Sequence, residues 1–324
     1  MRISRRGATL LAAALVAGLP PMPASADGFA FGLFGDMPYN HFERQHLPDL
    51  LADMGREPLA FAIHDGDIKS GGGRCDDGVL QDILAAFQES PHPLVYVPGD
   101  NEWVDCHRPS AGGYDPEERL DRLRALFFAG DESLGRRRIR LERQSRDDAY
   151  REFRENVRWE RSDILFVSLN LPGSHNNFHG PAGRGGPTAE FMRRGAANRA
   201  WLADAFARAR RMHAKGILIV IQANPGFEAF NAGLAEPGYR DFLAQVLQET
   251  REYPGQVVLV HGDTHRHRID RPLRDPRTHA PLANFRRVET FGSPFLGWVR
   301  GWADATDPEV FRFEARPYRR PSGN

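Results

Sequence analysis

Residues 59–67 read LAFAIHDGD. The same design, an apolar run rich in aromatic and β-branched residues closed by Gly-Asp, recurs as FAFGLFGD at 29–36, LVYVPGD at 94–100 and VVLVHGD at 257–263. Each run is too short for a helix and apolar enough for a strand buried on both faces, and a glycine able to take φ > 0 stops it. Parallel strands present their C-terminal ends on one side, where open α/β sheets bind ligands. Asp36, Asp67, Asp100 and Asp263 are therefore expected to meet at one edge. Buried carboxylates held together repel and cost several kcal/mol each unless a cation joins them, so convergence implies metal. A lone Gly-Asp needs no more explanation than a turn. Four at strand ends, the last continuing as HGDTH at 261–265, point to a metal edge.

With 324 residues, 41% apolar and 43 basic against 43 acidic side chains, the chain can bury a substantial core. Zero net charge gives no nucleic-acid-binding signature and no reason for attraction to anionic membranes. Lysine occurs only at Lys69 and Lys215, which singles out Lys69, two residues beyond Asp67. Residues 1–26 read as a signal peptide: Arg2, Arg5 and Arg6 precede an apolar run from Ala8 to Leu19, and Ala24-Ser25-Ala26 fits a cleavage site. Ser4-Arg5-Arg6 leaves twin-arginine export and ordinary secretion both open. The mature chain is expected in a bacterial periplasm or outside the cell, with no membrane anchor once the signal is removed. In that oxidising setting Cys75 and Cys106, each a few residues past a Gly-Asp, are expected to pair if their strands are neighbours. Such a bridge contributes about 3–4 kcal/mol on a chain-entropy model.

Strands at 29–36, 59–67 and 94–100 alternate with helices near 41–54 and 77–89, the pattern of a parallel sheet with right-handed crossovers. A helix opens at Pro116-Glu117-Glu118. Residues 130–160, dense in Arg, Glu and Asp, read as a charged surface excursion. Strand 163–171, a long loop GSHNNFHGPAGRGG at 173–186, helix 188–211, strand 216–224, a helix near 237–250 and strand 257–263 form a second alternating block. The tail segments FRRVETF, WVRGWAD and EVFRFEA alternate in polarity and are expected to form a consecutive antiparallel set, a second sheet packed on the first. One mixed α/β domain, residues 27–320, accommodates all of this.

In order and separation, Gly35-Asp36-Met37-Pro38, Gly66-Asp67-Ile68-Lys69-Ser70, Gly99-Asp100-Asn101-Glu102, Ile221-Gln222-Ala223-Asn224 and Gly262-Asp263-Thr264-His265 resemble the motifs of the calcineurin-like metallophosphoesterases. The resemblance implies two mixed β-sheets sandwiched between helices, a four-layer α/β/β/α arrangement, with one or two divalent metal ions at the strand ends. It makes Asp36, Asp67 and His265 ligands of a first metal, and Asp67, Asp100, Gln222 and Asp263 the ligand set of a second. It implies hydrolysis of a small-molecule phosphoester by metal-activated water, with Asp67 and His265 central.

The motifs also depart from the family. Pro38 stands where a ligating His is expected, and oxygen donors at 100, 222 and 263 favour Mn, Mg or Ca over Zn or Fe. Asn101 replaces the family's general-acid His, and a carboxamide cannot give up a proton at neutral pH. Replacement acids are sought among His64, His107, His175, His179 and His267, although His64, within a strand, suits a structural role better. Lys69, Glu102, Trp103, His175, His179 and His267 are candidate substrate contacts, although a core position suits Trp103 better than a stacking face. Two functions remain open: a secreted metal-dependent phosphodiesterase or phosphatase, and a degenerate metal- or ligand-binding module on the same fold.

Overall fold

The computed structural model describes residues 28–318, so the expected signal peptide lies outside the described residues. The first three apolar runs form β1 (Phe29–Phe34), β2 (Leu59–His64) and β3 (Leu94–Tyr96), parallel and separated by helices His41–Gly55 and Asp77–Gln88. Along β1 the side chains alternate between two apolar environments. Phe29, Phe31 and Leu33 join Phe61, Ile63, Phe166, Leu218 and Val258 between the sheets, while Ala30 and Phe34 pack beneath the helices with Leu50, Leu80 and Phe87. Both faces are buried, which is why these strands read as continuous apolar runs.

The second block gives β4 (Glu142–Arg143), β5 (Val157–Arg161), β6 (Ile164–Ser168), β7 (Gly216–Val220), β8 (Gln256–His261), β9 (Arg268–Asp270) and β10 (Phe285–Glu289), followed by β11 (Gly297–Ala303) and β12 (Phe311–Pro317). They complete sheets of order β12-β11-β1-β2-β3 and β4-β5-β6-β7-β8-β10-β9. Helices Ala189–Arg211 and Pro237–Glu252 cover the outer face of the second sheet through Trp201, Phe206, Phe242 and Val246. The result is helix, sheet, sheet, helix.

Two expectations are corrected. The tail does not build a sheet of its own: β10 pairs parallel to β8, whereas β11 pairs antiparallel to β1 and β12 to β11. Alternating polarity marks a strand but does not name its partner. The excursion at 130–160 supplies sheet as well as surface. β5 and β6 form a hairpin through Ser162 and Asp163, both at positive φ, 48° and 57°, the geometry that suits a two-residue turn to strand twist. Several of its charges are buried in pairs, including Arg124 on Glu155 at 2.8 Å.

Candidate functional site

The carboxylates of Asp36, Asp67, Asp100 and Asp263 gather at the C-terminal ends of β1, β2, β3 and β8, where the two sheets abut. The Asp263 amide donates to Asp36 Oδ2 at 2.8 Å, tying one sheet to the other. The left-handed conformation expected of the glycines belongs instead to Asp36, Asp67 and Asp263, at φ 48°, 60° and 75°; of the four preceding glycines, Gly66 alone shares it. Asp tolerates this region better than most residues, and such strain concentrates at functional sites. The glycines are needed for space. A Cβ on Gly99 would lie 2.0 Å from Asp67 Oδ1, and one on Gly262 2.2 Å from Asp36 Oδ2.

Tyr39, absent from the sequence-based candidates, sits at the centre. Its hydroxyl donates to Asp67 Oδ2 at 2.8 Å and lies 3.3 Å from His265 Nε2 and 3.5 Å from Asp36 Oδ1. His265 Nε2 is itself 3.7 Å from Asp36 Oδ1. The imidazole Nδ1 donates to the Ser293 carbonyl at 2.6 Å, which leaves the Nε2 lone pair facing the cluster. A helix cap positions the tyrosine. Asn40 accepts from the Glu43 amide at 3.0 Å, and the Glu43 carboxylate reaches back to the Tyr39 N–H at 2.5 Å and the Ser293 hydroxyl at 2.6 Å. The usable signal was Asn40-x-x-Glu43 directly after Tyr39.

Asn101 occupies the expected general-acid position. Its Nδ2 donates to Asp67 Oδ2 at 2.7 Å and to the Tyr39 hydroxyl at 2.9 Å, while its backbone N–H donates to Asp67 Oδ1 at 3.1 Å. It orients both groups. Glu102 is buried beneath them and accepts from the amides of Asp67, Ile68 and Gly99 and from the Tyr96 hydroxyl. The Cys75–Cys106 disulfide forms as expected, its sulfurs packed 3.6 and 3.7 Å from the Asn101 carbonyl oxygen.

The electrostatics are those of crowded anions. Burial, then the charges of Asp65 and Asp263, hold Asp36 well above the usual carboxylate range. Burial and Asp100 do the same to Asp67, and push Asp263 to about 7 and Asp105 to about 6. Lys69 and Arg108 are the cations beside this group among the described residues. Lys69 Nζ is held by the carbonyls of Asn101 at 2.5 Å and Ser70 at 3.0 Å, and Arg108 by Asp105 at 2.7 Å.

Among the described residues no group of three or more His, Cys, Asp or Glu side chains could by itself hold a metal ion. Tyr39 Oη, however, lies 2.8 Å from Asp67 Oδ2, 3.3 Å from His265 Nε2 and 3.5 Å from Asp36 Oδ1, and His265 Nε2 is 3.7 Å from Asp36 Oδ1. Donors about 2.0–2.3 Å from one shared ion are spaced in this way. Oxygen-rich and set beside uncompensated carboxylates, these donors have the chemistry that suits a hard divalent cation, while the Tyr39 phenol itself is held neutral by burial and the Asp67 charge and donates its hydrogen bond to Asp67.

The other group is more closed. The Gln222 carboxamide oxygen accepts from the Gly173 N–H at 2.6 Å and its Nε2 has no partner, so its contacts do not describe the ligand role expected of it. Asp263 Oδ2 accepts from the Asn224 N–H at 2.9 Å, and Asp100 Oδ2 from the Ser174 hydroxyl at 2.6 Å. A Cβ on Gly173 would meet the remaining oxygens of Asp100 and Asp263 at 2.7 and 2.9 Å. Ser174, His175, Asn176 and Asn177 form a left-handed turn, with φ from 45° to 59°. Ser174 thus reaches the acidic edge, while His175 and His179 do not: exposed His175 pairs with Glu236 and half-buried His179 donates to the Gly185 carbonyl. Trp103 is fully buried under Arg194 and offers no face to a substrate, which is the core position and not the candidate contact. His64 is buried, bonded to the Met37 carbonyl at 3.0 Å and pushed down to about 3 by desolvation, which fits a structural role. His107 is turned to the Val104 carbonyl at 2.7 Å.

No family model and no curated protein matches the sequence. Solved structures do. A dimetal phosphatase from Danio rerio is similar over 89% of this chain and 96% of its own, with TM-score 0.54 and 14% identity. PhoD is similar over 87% of this chain and 66% of its own, with TM-score 0.51 and 13% identity. A purple acid phosphatase from yellow lupin seeds has TM-score 0.47 over 91% of this chain and 55% of its own, at 13% identity. At these identities the likeness to the first two concerns the fold, and it agrees with the two mixed sheets between helices described above. The chain has the calcineurin-like metallophosphoesterase fold.

Proposed function

We propose that this protein is an exported phosphoester hydrolase that works with one divalent cation and prefers phosphodiesters to monoesters. The observation that supports it is the gathering of Asp36, Asp67 and His265 around the Tyr39 hydroxyl at the strand ends. These four would hold the cation, with Mn, Mg or Ca favoured by the oxygen-rich set. When bound, the ion supplies Lewis acidity toward a phosphoryl oxygen and a lower pKa for attacking water.

The chain's own residues set the rest. Asn101 fixes the orientation of Asp67 and Tyr39 and has no proton to give a leaving group. Asp100, Asp105 and Asp263 add negative charge on the far side, which disfavours a dianionic monoester relative to a monoanionic diester. The disulfide suits an oxidising compartment, and no helix among the described residues is long and apolar enough to cross a membrane.

The test is to load the purified protein with Mn, Mg, Ca or Zn, then measure metal content and hydrolysis of 4-nitrophenyl phosphate and bis(4-nitrophenyl) phosphate. One equivalent of a hard cation and chelator-sensitive diester cleavage are expected. Tyr39→Phe should weaken cation affinity by roughly tenfold. No hydrolysis with any metal sinks the hydrolase. A full complement of metal in that inactive protein would favour the binding module, the reading to which the missing acid at Asn101 lends weight.

A further inference from the structure

Beside the acidic cluster lies a groove of different chemistry, about 490 Å³ in volume and lined by Phe42, His265, His267, Phe291, Phe295 and Tyr318, with Pro294, Leu296 and Pro317. Among the described residues no carboxylate lines it. Phe295 is 69% exposed and Phe42 48%, a costly display of aromatic surface at the mouth of a site. The His267 ring stacks on Phe291 with centroids 4.4 Å apart and planes at 19°, its Nδ1 anchored on the Glu289 carbonyl at 2.8 Å. His265 belongs to both places: its Nε2 faces Asp36 and Tyr39, and its ring forms the inner wall of the groove.

We infer that this groove seats an aromatic ester group of the substrate, which makes the ligand class an aryl phosphodiester. The inference rests on the proposed phosphoester site and deepens it. Three observations converge. The groove is continuous with the cation position through His265, so a phosphate at one has its ester group in reach of the other. Its walls are rings and prolines, with Leu296 the one aliphatic side chain among the described residues, and flat rings are what such walls stack on. Asn101 cannot protonate a leaving group, and an aryl oxide, a weaker base than an alkoxide, departs without that help.

The deciding measurement is calorimetric binding of diphenyl, diethyl and dihexyl phosphate to the cation-loaded protein and to Phe295→Ala, whose exposed position makes misfolding no concern. Diphenyl phosphate should bind at least tenfold more tightly than diethyl phosphate, and Phe295→Ala should bring the two to near parity while leaving diethyl phosphate unchanged. Equal affinities, tightest binding of the dihexyl ester, an aromatic preference indifferent to Phe295, or no binding of any diester would each overturn the inference. Hydrolysis of bis(4-nitrophenyl) phosphate, followed in parallel, separates the two ideas. Turnover without aromatic preference removes the groove assignment alone, and aromatic preference without turnover removes the hydrolase alone.

Discussion

Asp67→Asn is expected to lower cation-dependent hydrolysis by at least about 10³-fold while making the cation-free protein more stable. The two effects have one cause. Asp67 accepts from Tyr39, from the Asn101 side chain and from the Asn101 backbone, and so stands at the centre of the donor set. It is also buried beside Asp100, Glu102 and Asp36, whose charges add to desolvation in raising its pKa. With no cation, that crowding opposes folding. The asparagine keeps the shape and removes one charge, a gain of about 2–3 kcal/mol in chelator at neutral pH or above, against which its NH2, forced to face a donor that Asp67 accepted from, sets back about 1 kcal/mol.

The sign of the pH dependence follows from the same groups. Asp36 and Asp67 are raised and Asp263 stands at about 7, whereas an unfolded aspartate titrates near about 3.9. Between those values the folded, cation-free protein holds more protons than the unfolded chain, so its stability falls as pH rises from about 4 through 7. Bound cation should remove most of that slope, and Asp67→Asn should reduce it. Thermal melts in chelator at several pH values, for both proteins, read this directly. A variant less stable than wild type in chelator, or one that keeps wild-type hydrolysis, would contradict the role given to Asp67.

The strand ends were legible because their signal is local: an apolar run, a glycine and an acid. Asp36, Asp67, Asp100 and Asp263 could be placed on one edge from strand direction alone, and the disulfide followed from two loops over neighbouring strands. Tyr39 was not legible as a site residue, since a tyrosine three residues past an aspartate matches neither helix nor strand periodicity. Its position is set by Glu43 and Ser293, the latter 250 residues from its partner. Trp103 shows the converse. Sequence adjacency to Asp100 suggested a contact, but the chain turns at 103–107 and carries the indole inward. The left-handed turn at Ser174–Asn177 gave no glycine to announce it. What holds it there is a helix that begins more than ten residues later.

That support makes Arg194→Met the substitution with the largest expected loss of stability. Arg194, fully buried on helix Ala189–Arg211, binds Glu190 through Nε at 2.6 Å and Nη2 at 3.0 Å. Its Nη1 reaches the Asn176 side chain at 2.5 Å and the Asn170 carbonyl at 3.0 Å, and Nη2 the Asn176 carbonyl at 2.9 Å. Asn176 sits inside the left-handed turn, so the guanidinium satisfies backbone groups that the turn cannot satisfy for itself. Against the cost of burial, Arg194 also holds the Glu190 carboxyl below its usual range. A methionine fills similar volume but leaves Glu190 charged in the interior without its paired guanidinium, the Asn177 side chain alone still donating to it at 2.9 Å among the contacts described, at a cost of about 3–5 kcal/mol. That corresponds to a melting temperature lower by roughly 6–15 °C. Adding Glu190→Gln should recover part of the stability by removing the stranded charge. It should not restore the anchoring of Asn176, so the placement of Ser174 on Asp100, and with it any cation-dependent hydrolysis, should stay impaired. A single variant within about 1 kcal/mol of wild type would mean that the turn holds its shape without Arg194.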